Sequence, residues 1–77
     1  MKIEILGTGC AKCNALERAV RTSAEKLGIE CQIEHVTDLN RITGYGVMMT
    51  PALVIDGEVK VSGKVPSERE LEGLLKQ

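Results

Sequence analysis

A chain of 77 residues with one Tyr, no Phe and no Trp supports a single domain over residues 1–77. Its core is thin and aliphatic, because only about 60% or a little more of the unfolded surface is buried at this length. Ten Lys and Arg against eleven Asp and Glu leave a formal net charge of −1, which argues against a general attraction to nucleic acid or an anionic membrane.

No stretch approaches the length of a membrane span, and Met1 to Leu6 is too short for the apolar core of a signal peptide. A cytoplasmic location is expected. There, three cysteines are not expected to form a structural disulfide framework, and the closely spaced pair is better suited to catalysis or metal binding.

Lys2-Ile3-Glu4-Ile5-Leu6 is a short β-branched run ending at Gly7, and it predicts a first strand. A helix from about Cys10 to Leu27 follows, with Leu16, Ala19, Val20, Ala24 and Leu27 at helical spacing and Gly28 as its stop. Ile29 to Val36 reads as a second strand, and the long crossover suits a right-handed parallel βαβ unit. Thr37-Asp38 caps a short second helix carrying Leu39 and Ile42, which fades at Gly44 and Gly46. The loop Val47-Met48-Met49-Thr50-Pro51 leads into a strand, Ala52 to Ile55. Asp56-Gly57 then signals a hairpin with Glu58 to Ser62. Ser67-Glu68-Arg69-Glu70 fits a capping box, and Leu71, Leu74 and Leu75 stripe a last helix. The order is β-α-β-α-β-β-α, which implies a mixed four-stranded sheet with helices on its faces.

Chemistry concentrates in Gly7-Thr8-Gly9-Cys10-Ala11-Lys12-Cys13. Disulfide exchange requires one ionised, accessible thiol and a second thiol close enough to resolve the first. Cys10 is expected at the helix start, where unpaired N–H groups and the helix dipole stabilise a thiolate. Cys13 is expected one turn later, within the Cα separation that a disulfide tolerates. Gly7 and Gly9 let the backbone turn sharply and leave Cys10 uncovered. Lys12 reads first as an ordinary solvated lysine, and its charge close to Cys10 should favour the thiolate modestly.

With Cys10-Ala11-Lys12-Cys13 after the first strand and Thr50-Pro51 before the third, the chain resembles the thioredoxin-like superfamily. The likeness is to its small, glutaredoxin-sized archaeal and bacterial members, and it covers essentially the whole chain. Gly46 to Gly57 looks like that family's cis-proline loop. The resemblance implies a three-layer α/β fold and a protein disulfide reductase with Cys10 as nucleophile, Cys13 as resolving cysteine and Pro51 as the cis-proline. It further implies that the Thr50 backbone pairs with an extended substrate segment; Met49, from the apolar loop before it, and Lys12, beside Cys10, are candidate substrate contacts. The partners implied are disulfide-containing proteins and an upstream disulfide reductase. The chain departs from the family in having no Trp before Cys10 and Ala-Lys as the inner dipeptide. Ser62-Gly63 matches the glutathione-holding glycine pair of glutaredoxins only in part, with no Asp after it, and no cofactor is expected. Nothing in the sequence marks an oligomeric interface, and a monomer is the simpler expectation.

The alternative is a binding module in which the Cys10 and Cys13 thiolates hold a soft metal or metalloid. Copper-chaperone-like ferredoxin folds also place Cys-x-x-Cys after a first strand, but they run β-α-β-β-α-β, whereas here the hairpin comes late and the chain ends on a helix. Adding Cys31 and His35 completes a zinc-like inventory. Residues four apart on a straight strand are roughly 13 Å apart, so Cys31 and His35 cannot reach one ion. Cys31 is expected to be a core or edge thiol and His35 a partly exposed strand residue. Met48 and Met49 are adaptable apolar cover for their loop or a flat rim for a docking partner. Tyr45 joins that rim or closes the second helix.

Overall fold

The computed structural model describes residues 1–7 and 11–76. Its elements are β1 (Lys2–Leu6), α1 (Ala11–Leu27), β2 (Gln32–Val36), α2 (Leu39–Gly44), β3 (Ala52–Ile55), β4 (Glu58–Ser62) and α3 (Glu68–Leu75). The strands form one sheet in the order β2-β1-β3-β4. β1 pairs parallel with β2 and antiparallel with β3, and β4 is antiparallel to β3. This is the mixed four-stranded α/β sheet expected from the element order, and it agrees with the fold that the family resemblance implies.

Local chemistry explains most boundaries. Asp56 and Gly57 both take positive φ, 50° and 84°, the geometry that a two-residue primed turn requires. Asp38 caps α2 by accepting from the Asn40 N–H, and Ser67 caps α3 by accepting from the Glu70 N–H. The second strand starts at Gln32, not at Ile29 as its composition suggests. Gly28 adopts φ +69° and bonds back to Glu25, while the Ile29 N–H bonds to the Ala24 carbonyl. That Schellman closure takes up the backbone of Ile29, and pairing with β1 begins only where the Gln32 N–H reaches the Met1 carbonyl.

β1 is buried on both faces, and side-chain alternation sends its residues to two separate cores. Ile3 and Ile5 face α1 and α3, where they join Leu16, Val20, Leu53, Val61, Leu71 and Leu75. Leu6 lies on the other face with Val36, Ile42, Val47, Ala52 and Val54. That second face is covered by α2, whose Leu39 remains 64% exposed, contrary to the apolar role its spacing suggests. α1 also buries two residues outside the expected stripe, Cys13 and Ser23. No helix among the described residues is long and apolar enough to cross a membrane.

Leu53 is fully buried between β1 and β4, so Leu53→Ala is expected to cost about 2–5 kcal/mol by lost burial and cavity formation. Gly73 sits within α3 with open space where a Cβ would project, and Gly73→Ala should stabilise by about 1 kcal/mol. Urea unfolding of both variants checks the two opposite signs.

Candidate functional site

The carboxyl end of β1 leads through residues 8–10 into α1. The predicted nucleophile Cys10, with Thr8 and Gly9, lies outside the described residues. Cys13 is the third residue of α1 and is fully buried. It belongs to the first turn, whose N–H groups lack intrahelical acceptors and carry the positive end of the helix dipole. No acidic residue occupies that turn to cancel this potential. Lys12 beside it is exposed.

Cys13 packs against Gly7. A methyl group at Gly7 would overlap the Cys13 Sγ and lie 3.3 Å from its Cβ and 3.7 Å from the Thr50 Cβ. Glycine is thus required here for close approach of a sulfur, a role its position in a turn does not reveal. The same contact places Thr50 beside Cys13, although 37 positions separate them in the chain. β1–β3 pairing is responsible, because Leu6 and Ala52 are direct partners and so bring Gly7 next to the Thr50-Pro51 step. The Thr50–Pro51 peptide is cis.

The loop before Pro51 is supported from β4. The Ser62 hydroxyl donates to the Met49 carbonyl at 3.3 Å, and the Gly63 N–H donates to the Pro51 carbonyl at 2.9 Å. Met49 lies over Gly63, with its Cβ 3.1 Å from where a Gly63 Cβ would be. Met48 and Met49 are 93% and 64% exposed. They form an apolar rim beside Thr50, and Met48 also edges a cavity of about 310 Å³ with Leu39, Ile42 and Val47.

A polar cluster behind this loop was not legible as such in the sequence. Glu4, in the middle of β1, is only 4% exposed. Its Oε1 accepts from the Tyr45 hydroxyl at 2.7 Å and its Oε2 from the Arg41 guanidinium at 3.0 Å. Arg41 also donates to Glu34 on β2 at 3.0 Å. The hydrogen bond to Glu4, with burial, raises the Tyr45 phenol above its usual range. The hydrogen bond from Arg41 holds the Glu34 carboxyl below its usual range. The stability contributed by the Glu34 shift is therefore present above the ordinary carboxylate pKa and is lost as the pH falls through the lowered value. A glutamate between Ile3 and Ile5, inside the apolar part of the strand, was the signal that could have marked this cluster.

Cys31 lies at the opposite end of the molecule. It precedes β2 beside Met1, in a cavity of about 840 Å³ shared with Lys2, Arg21 and Asp56. The register of β1 and β2 sets it about six residues, or about 20 Å, from the Gly7 end. It is a partly buried thiol packed against the α1–α3 core. His35 is half-buried and its Nδ1 lies 3.3 Å from Glu17 on α1. Among the described residues, no three His, Cys, Asp or Glu side chains converge on a site for a metal ion.

A family model for the thioredoxin domain matches residues 1–76. The chain is 40% identical over 75 residues to a thioredoxin of Methanothermobacter thermautotrophicus, covering 97% of each protein. It is 42% identical over 74 residues to a thioredoxin of Methanocaldococcus jannaschii, covering 96% of this chain and 85% of the relative.

The Gly7 contact is checked by Gly7→Ala. The added methyl must displace the Cys13 sulfur, and a loss of about 1–3 kcal/mol in unfolding free energy is expected from the overpacking. An unchanged stability would show that the sulfur moves aside at no cost.

Proposed function

Because the chain belongs to the thioredoxin family, we propose that it is a thiol–disulfide oxidoreductase that reduces protein disulfides through Cys10 and Cys13. The observation that carries this reading is the position of Cys13, in the first turn of α1, against Gly7 and beside Thr50. A buried sulfur in a helix's first turn suits a resolving thiol. Protected from bulk oxidants and partners, it reacts chiefly with a sulfur bonded to the residue three positions earlier.

In the proposed cycle the Cys10 thiolate attacks one sulfur of a partner disulfide. The partner's S–S bond breaks, a mixed disulfide forms at Cys10, and the departing sulfur leaves as a thiolate that takes a proton. Cys13, as thiolate, then attacks the Cys10 sulfur. The bond between Cys10 and the partner breaks, the partner's second sulfur leaves as a thiolate that takes a proton, and the two electrons the partner gains are those the dithiol loses in forming the Cys10–Cys13 disulfide. An upstream dithiol reductase returns the protein to its reduced form. The positive end of α1, and more weakly the Lys12 charge, favour the thiolate form.

Thr50 offers its backbone to an extended substrate segment, as strand addition requires. Pro51, having no N–H, makes no competing donation there. The exposed thioether of Met49 supplies adaptable apolar contact.

Cys13→Ser is expected to accumulate a mixed disulfide with an oxidised protein substrate, attached at Cys10 and detectable by mass spectrometry of the intact adduct. Cys10→Ser is expected to reduce activity to background. Full reductase activity in Cys10→Ser would exclude the mechanism.

A further inference from the structure

We propose that the Tyr45 hydroxyl, bound to the buried Glu4 carboxylate, makes Tyr45 a positioning residue for the loop that docks the disulfide-bearing segment of a protein substrate. The inference rests on the reading of Met49 and Thr50 as part of the docking strip.

α2 has six residues, too few to persist without tertiary support. Its apolar hold on the sheet is small, since Leu39 is largely exposed and Ile42 is its one buried residue. The polar bonds to Glu4 and Glu34 add to the hold of Ile42 and of the Tyr45 ring, which packs against the same apolar cluster. Arg41 fastens the helix body to β1 and β2, while Tyr45, the C-cap, fastens the helix end. From Tyr45 the chain turns at Gly46, with φ +78°, and runs through Val47, Met48 and Met49 to Thr50.

The far end of this span is held by Ser62 and Gly63 through the Met49 and Pro51 carbonyls. Between the two attachments Val47 is buried, while Met48, Met49 and Thr50 are exposed. The phenol thus sets the departure point of the segment that would meet a substrate. Glu4 is a suitable anchor because it projects from the central strand, which is paired on both sides. A hydrogen bond to a buried charged acceptor is also among the stronger ones.

The consequence is selective. An extended polypeptide needs the docking strip in register with the dithiol, whereas a small disulfide needs only access to the thiolate. Tyr45→Phe removes the hydroxyl while keeping the ring. With dithiothreitol as donor, the variant should show a KM for insulin raised about five- to tenfold and a nearly unchanged kcat. Reduction of hydroxyethyl disulfide should match the wild type, and backbone amides from Val47 to Thr50 should exchange faster. Leu75→Ala loosens the opposite core; it should lower the melting temperature without altering the insulin KM, which separates positioning from general stability.

Equal effects of Tyr45→Phe on both substrates, or none on either, would overturn the positioning role. A wild-type protein inert toward both substrates would instead overturn the proposed reaction, and the docking role with it.

Discussion

Burial of β1 on both faces is the constraint on which the rest of the structure depends. The strand has neighbours on each side and helices above and below, so its four side chains from Ile3 to Leu6, all buried, have a partner layer assigned by alternation alone. Ile3 and Ile5 anchor the α1–α3 layer, and Glu4 and Leu6 face α2. Gly7 continues the first set, and there the missing side chain admits the Cys13 sulfur. One short run of sequence thereby seats both helical layers and the beginning of the candidate site.

The two faces solve their packing differently. Under α1 and α3 the core is aliphatic and its energy comes from area removed from water. Under α2 the strand presents a carboxylate, which is costly to bury unless its oxygens are bonded. Arg41 and Tyr45 meet that requirement, each using one oxygen. A charged anchor has a direction that an apolar contact lacks, and it restricts where α2 and the loop beyond it can lie.

The candidate site is accordingly a product of pairing. Cys13 arrives by way of the β1–α1 connection, and Thr50 and Pro51 arrive because β3 pairs antiparallel to β1, with Ala52 opposite Leu6. β4 completes the support through Ser62 and Gly63. Membership of the thioredoxin family accords with this assembly, in which a first-turn cysteine and a loop ending at proline meet at the carboxyl end of a central strand.

The sequence by itself determined what depends on near neighbours. Asp56-Gly57 defines its hairpin because both positions tolerate positive φ. Asp38 and Ser67 mark helix starts because their side chains reach N–H groups two and three residues on, and the element order follows from periodicity. Tertiary structure decided whatever required two distant segments to meet. The delayed start of β2 arose from a helix cap that took up the backbone of Ile29. The exposure of Leu39 arose from how α2 lies on the sheet. The need for glycine at position 7 became visible only with a sulfur placed against it, and the meaning of Glu4 only with Arg41 and Tyr45, some forty residues away, on its two oxygens. Periodicity reports which face a residue occupies; it carries no information about which particular atom will be waiting there.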